Sequence, residues 1–188
     1  MKTIGLIGGM SWESSAHYYR ILNQETARRL GGLHSAPVIM HSVDFAPIAD
    51  MQSAGNWDAA GRQLNTVAQG LVRAGAEVLG LATNTMHVVS DIMLEGVGTP
   101  FIHIADPTAQ ALLGDGYDTV GLLGTRFTME MDFYKQRLVS HGLNVLVPEV
   151  DHTNLNGIIY EELCKGIVRE ESRRIYQAAI DRMAARGA

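Results

Sequence analysis

The sequence is short of the groups that most often announce a function. It has one cysteine, Cys164, among 188 residues. A single thiol excludes an internal disulfide and any cysteine-based metal cluster. The three lysines, Lys2, Lys135 and Lys165, sit in no setting suited to a Schiff base, so pyridoxal phosphate is not suggested. None of the seven histidines belongs to an H-E-x-x-H or comparable pair, which argues against a metal site. A net charge of -5 leaves no basic footprint for nucleic acid. No apolar run reaches bilayer length, and no membrane partner is expected. The run led by Lys2 stops at Met10, before Ser11-Trp12-Glu13, too soon for a signal peptide. Cytoplasmic residence is the resulting expectation.

What is present is an ordinary globular composition, 46% hydrophobic and 19% charged. A chain of this length buries roughly 70% of its extended surface, enough for one domain or two small lobes. Short apolar runs alternate with segments of helical period. "KTIGLIGG" reads as a strand entering a glycine turn. The helix that follows has Ser11 as N-cap, Glu13 in its first turn and Gly31-Gly32 as its stop. Trp12, Ala16, Tyr19 and Leu22 mark one face of it. "PVIMHSVDF", "EVLGLA" and "PFIHIAD" read as three more strands. Between the first two of these, Ala60, Leu64, Val67, Leu71 and Ala74 form a buried helical stripe. Strands alternating with helices imply parallel pairing through right-handed crossovers, the doubly wound α/β class.

The chain also repeats itself. "TIGLIGGMSWESSAHYYRIL" (3–22) aligns without a gap on "TVGLLGTRFTMEMDFYKQRL" (119–138), with Gly5/Gly121, Leu6/Leu122, Gly8/Gly124 and Tyr18/Tyr134 identical. "GLVRAGA" (70–76) resembles "RMAARGA" (182–188) in the same order. Two lobes of similar α/β design are expected, residues 1–100 and 101–188. By the repeat, the second lobe stops at Ala188 before its matching strand, so it is read as incomplete.

Ligands of open α/β sheets bind at the carboxyl ends of the strands. Three loops qualify. "GGMSW" offers Gly9, Met10 and Ser11 at a helix start. "ATNTMH" offers Thr83, Asn84 and Thr85 after Ala82. "GTRFTME" offers Thr125 and Thr128. Small neutral donors of this kind suit a carboxylate. Each has a plainer reading. Gly8-Gly9 could be a packing turn and lacks the G-x-G-x-x-G spacing of a dinucleotide fingerprint. Thr125 and Thr128 could cap a helix, and Asn84 could close a local turn. His87 reads as a structural side chain. Cys164, in the helical stretch "IIYEELCKG", reads as a packed thiol.

Those loops, with "IGLIGGMSWESSAHYYRILN", "RLGGLHSAPVIMHSVDF", "AGAEVLGLATNTMH", "PFIHIAD", "GLLGTRFTMEMDFYKQRL" and "IIYEELCKG", resemble the aspartate/glutamate racemase family, and especially its broad-specificity amino-acid racemase branch. The resemblance implies two pseudo-symmetric α/β lobes with parallel sheets and the site between them, no cofactor, an amino-acid substrate and a homodimer. It implies two cysteines on opposite sides of the substrate α-carbon, one removing a proton as thiolate and the other delivering one. It aligns Ala82 with the first cysteine and sets the second just beyond Ala188. Gly9, Met10, Ser11, Asn84, Thr85, Thr125 and Thr128 would hold the carboxylate and amino groups, and His41, Ser42 and Asp44 would add side-chain selectivity. The chain as given is therefore expected to be a racemase by descent and inactive. The alternatives are a non-catalytic amino-acid or dicarboxylate-binding protein, or a one-cysteine lyase or isomerase of the same fold.

Overall fold

The run Ile4–Gly8 forms β1, the strand on which the first half of the chain is built. The polypeptide leaves it through a glycine turn into α1 (Trp12–Leu30) and returns as β2 (Val38–Ser42). Helices α2 (Phe45–Ser53) and α3 (Trp57–Arg73) carry it back across the sheet to β3 (Val78–Leu81). A 3-10 turn (Thr85–Val89) and the short α4 (Ser90–Met93) lead to β4 (Phe101–Ile102). All four strands are parallel, in the order β2-β1-β3-β4. The computed structural model describes all 188 residues and divides into two compact units, Met1–Ile102 and His103–Ala188.

In the first unit the energetic centre is α3. Ala60, Leu64, Val67 and Leu71 are buried as the spacing predicts, while Ala74 lies past the helix end as its cap. They pack with Ile7, Leu79 and Leu81 of the sheet. A fully buried Leu or Val side chain contributes roughly 1.5–3 kcal/mol, so this face dominates the stability of the unit.

Helix α1 meets the sheet differently. Ser11 caps it, its Oγ accepting from the Ser14 N–H at 3.4 Å, and Gly31 ends it at φ 74°, its N–H donating to the Ala27 carbonyl. The expected apolar face does not point inward: Trp12, Ala16 and Tyr19 are exposed. Ser15 is the only buried residue within α1, with Tyr18 and Leu22 half-buried on the same side. The reason is close approach. A Cβ on Gly8 would stand 2.6 Å from Ser15 Oγ, so only a small residue fits at each side of this contact.

Two strands are shorter than expected. β2 ends at Ser42, because Asp44 accepts from the Ala46 N–H at 3.3 Å and starts α2. β4 ends at Ile102, and the rest of its apolar run enters α5 (Ala105–Gly114).

The second unit pairs β5 (Thr119–Gly121) in parallel with β6 (Asn144–Leu146). Between them run α6 (Arg126–Glu130) and α7 (Asp132–Ser140), and after them α8 (His152–Glu161), a 3-10 turn (Leu163–Lys165) and α9 (Glu170–Ala184). Cys164 is half-buried in that 3-10 turn, not in the preceding helix. The sequence repeat has a structural counterpart. A Cβ on Gly5 would meet Leu71 Cβ at 3.3 Å, and a Cβ on Gly121 would meet Met183 Cε at 3.0 Å. Gly5 aligns with Gly121 and Leu71 with Met183, so each unit repeats one strand-to-helix approach. No helix of the chain is long and apolar enough to cross a membrane.

One ion-paired cluster ties α5 to α7. Arg137 donates to both oxygens of Asp106, at 2.7 and 2.8 Å, and His141 Nε2 lies 2.9 Å from Asp106 Oδ1. The Arg137 guanidinium beside Asp106 holds its carboxyl well below the usual carboxylate range. A carboxylate with a lowered folded pKa stabilises the fold fully above its unfolded pKa of about 3.9, and that contribution is lost as pH falls through the folded value. Charged hydrogen bonds of this kind contribute roughly 1.5–3 kcal/mol. We expect Asp106→Asn to lower the urea midpoint at pH 6, and the gap between variant and parent to narrow as the pH is taken below 4. Urea titrations at a series of pH values check this; a gap independent of pH would assign the stabilisation elsewhere.

Candidate active site

In a parallel sheet every carboxyl end lies along one edge. In the order β2-β1-β3-β4 the connection from β1 leads to β2 on one side and the connection from β3 leads to β4 on the other. The loops after β1 and β3 therefore diverge at a topological switch point, the position where open α/β sheets take their ligands. Gly9–Ser11 follow β1, and Ala82–Asn84 follow β3. The exits of β3 and β2 are both stitched to the end of β1: the Ala82 N–H donates to the Ile7 carbonyl at 2.8 Å and the Val43 N–H to the Gly8 carbonyl at 3.0 Å.

The glycine turn is held from within. Gly9 has φ 97°, and a Cβ there would fall 2.2 Å from the Val43 carbonyl oxygen. Its N–H donates to Ser15 Oγ at 2.9 Å, and Ser15 Oγ donates in turn to the Ser11 carbonyl at 2.9 Å. The Ser14 hydroxyl donates to the same carbonyl at 3.0 Å. The Met10–Ser11 peptide is cis, and Met10 and Ser11 are both buried. The Gly9 amide thus already has a partner, and what the glycine supplies is a close approach of β1, β2 and α1. Ser15, which nothing in the sequence had singled out, is the brace. Its only sequence signal is a small residue four positions after the N-cap.

In the second loop the Ala82 methyl is enclosed, at 1% exposure, whereas Thr83 and Asn84 are half-exposed. Thr85 is buried and opens the 3-10 turn, with Met86 and His87 buried beyond it. Gln52 of α2 donates to Met86 Sδ at 2.9 Å, fixing that turn from the other side. His87 Nδ1 lies 2.7 Å from the Thr83 carbonyl oxygen. His41 and Ser42 stand exposed at the end of β2, beyond β1 from the Thr83 loop, and the Asp44 carboxylate serves as the cap of α2.

Thr125 and Thr128 belong to the second unit. The Thr125 hydroxyl caps α6, accepting from the Thr128 N–H at 3.3 Å, and the two hydroxyls lie 3.2 Å apart. Thr128 is fully buried and Thr125 half-buried, so the outer hydroxyl is the one within reach of a solute. Burial raises the Tyr160 phenol to about 12, a shift that leaves it neutral and unsuited to act as a base. No group of three His, Cys, Asp or Glu side chains is arranged to hold a metal ion.

A sequence model of the Asp/Glu/hydantoin racemases matches residues 7–188. Among solved structures, a Yersinia pestis protein assigned as an Asp/Glu racemase is 49% identical, with a TM-score of 0.89, covering 100% of this chain and 83% of its own. An aspartate racemase homologue from Pyrococcus horikoshii is 37% identical, with a TM-score of 0.73, over 89% of this chain and 74% of its own. The Picrophilus torridus aspartate racemase shares the fold at 20% identity, with a TM-score of 0.74 over 96% of this chain and 74% of its own. A parallel α/β sheet with loops at its switch point, a family match over residues 7–188 and a relative 49% identical across the whole chain lead to one conclusion: this protein belongs to the Asp/Glu/hydantoin racemase family and is by that membership an isomerase.

Proposed function

We propose that the chain binds an acidic amino acid at the carboxyl edge of β1 and β3 without a cofactor, and that Ser11, Thr83, Asn84 and Thr85 line the site. The observation that carries this reading is the pair of loops, Gly9–Ser11 and Thr83–Thr85, flanking the switch point of a family racemase. Gly9 contributes shape rather than a hydrogen bond, since its N–H is given to Ser15. Asn84 offers a side-chain amide at the loop surface. Its replacement by Ala should weaken L-aspartate or L-glutamate about tenfold, the loss of one hydrogen bond to a charged group. Isothermal calorimetry checks this, and unchanged affinity would move the site elsewhere.

The chemistry turns on what faces the α-carbon. The α-proton of a free amino acid is very weakly acidic, so its removal needs a positioned base, and general acid–base groups contribute about 10²–10⁴-fold each. The resemblance aligned the first cysteine with Ala82. The enclosed Ala82 methyl and the half-exposed Thr83 support a shift of one residue, with Thr83 at the ligand. Neither side chain is a thiol, and a threonine hydroxyl is not a thiolate at neutral pH. This favours a second reading, binding without turnover, and on it chiral chromatography should find no racemisation of aspartate or glutamate by the chain.

A cysteine placed at the ligand should remove an α-proton and return one to the same face. Thr83→Cys should therefore speed exchange of the α-hydrogen of one enantiomer with D₂O by about 10²-fold or more, without inversion. Ala82→Cys should not. Proton NMR on each pure enantiomer decides between the positions, and the reverse result would restore Ala82 as the facing residue.

The solvent-facing stripe of Trp12, Ala16 and Tyr19 on α1 supports the homodimer expected of the family, with a second copy covering it. Tyr19→Glu should convert a dimer to monomer in sedimentation equilibrium; an unchanged dimer would place the interface on another face.

A further inference from the structure

Of the four histidines in the first unit, His17, His34 and His41 are exposed, and His87 is buried at 2% exposure. Burying an imidazole is unfavourable unless its polar atoms are hydrogen-bonded. The Nδ1 atom of His87 lies 2.7 Å from the Thr83 carbonyl oxygen. A carbonyl can only accept, so Nδ1 carries the proton and donates. The backbone N–H of His87 donates to the Asn84 carbonyl at 3.1 Å. One residue thereby engages the carbonyls of two consecutive loop residues. The ring also lies against Phe101 of β4, with centroids 5.6 Å apart and planes tilted by 38°. It is thus held by the neighbouring strand while it holds the loop.

The plain alternative is a core histidine that merely fills space. Two features argue for more. The imidazole bonds to the backbone of the one half-exposed stretch between β3 and the 3-10 turn. And the bond reaches back four residues, across Asn84, so it fixes the peptide plane between Thr83 and Asn84. The direction of that plane decides where the Thr83 and Asn84 side chains point.

We propose that His87 is a positioning residue for the site: its Nδ1–H sets the Thr83–Asn84 peptide and so aims the two side chains that meet the ligand. The ligand-facing part of this role rests on the reading of Thr83–Thr85 as the substrate loop. The brace itself does not.

Three replacements separate the hydrogen bond from the volume. His87→Asn puts an amide N–H where Nδ1 stands. His87→Gln carries its amide one bond further, near the place of Nε2. His87→Leu keeps only apolar bulk. Amide hydrogen exchange, followed by NMR at positions 84–87, reads the order of the loop without any ligand. Loss of a single hydrogen bond should quicken exchange there roughly three- to tenfold in the Gln and Leu variants. The Asn variant should stay near the parent. Calorimetry with L-aspartate and L-glutamate is the second arm, and affinity should fall in the Gln and Leu variants and be rescued in the Asn variant.

Exchange unchanged in all three variants, or an Asn variant no better than the Gln variant, would overturn the proposal. If His87→Leu fails to fold, the contrast between the two polar variants still decides. If the parent chain binds neither amino acid, the substrate reading fails, and the exchange data alone judge the brace. Loose exchange in the Gln variant with undiminished affinity would overturn the positioning role while leaving the brace.

Discussion

The turn at the end of β1 is the tightest point in the first unit, and the candidate site depends on it. Three backbones meet there with no room for a side chain: β1 itself, the start of β2's exit at Val43, and the first turn of α1. Gly9 could not be an L residue of any size, because its φ of 97° and the 2.2 Å approach of the Val43 carbonyl exclude a Cβ. Ser15 then closes the turn with both a donated and an accepted hydrogen bond. Each internal bond is worth only about 1 kcal/mol net, but an unmet buried amide would cost more than that. The consequence for function is a loop whose shape does not wait for a ligand. Binding to a preorganised loop avoids the ordering cost that a mobile one incurs.

The same constraint explains which parts of the fold could be read from sequence. The four strands of the first unit and the α3 stripe announce themselves, because a buried apolar run and a 3.6-residue period are direct records of burial. The α1 face departs from its pattern for a physical reason. An apolar stripe at Trp12, Ala16 and Tyr19 shows that one side of the helix is apolar, not that this chain covers it. The side that meets the sheet must be small, so its record is a serine, which looks like nothing in a pattern of hydrophobicity. The sequence overextends β2 and β4 because Val43, and Ile104 with Ala105, are apolar enough to continue a strand. Short apolar runs do not distinguish strand from the entry to a helix. The clamp of Arg137 and His141 on Asp106 had no signature at all, since its members are 31 and 35 residues apart.

At the candidate site, the loops at the carboxyl edge are legible in the sequence and their hydrogen-bond partners are not. Glycine turns and small hydroxyl residues after strands mark the carboxyl edge well. They do not say which N–H is already taken or which side chain faces outward. Gly9 and Thr125 were singled out as binding residues, yet the first gives its amide to Ser15 and the second uses its hydroxyl as a helix cap. A cap and a ligand contact draw on the same residue types for the same reason, since both need a small oxygen beside a free N–H. Composition cannot separate them; only the partner can.

The internal repeat shows where duplication has been held and where it has been released. Gly5 against Leu71 and Gly121 against Met183 preserve one strand-to-helix contact in both units: a Cβ on Gly5 would crowd the Leu71 Cβ, and one on Gly121 would displace the end of the Met183 side chain. The loops just beyond are free of that constraint and have diverged. Ser11 caps α1, but its aligned position in the second unit, Phe127, lies inside α6, whose cap is Thr125, two residues earlier. The second unit's helix also breaks at Met131, where the first unit's runs on unbroken. Stability therefore preserves the strand and its glycine, while the hydrogen-bonding groups at the strand end are left to vary separately in each unit.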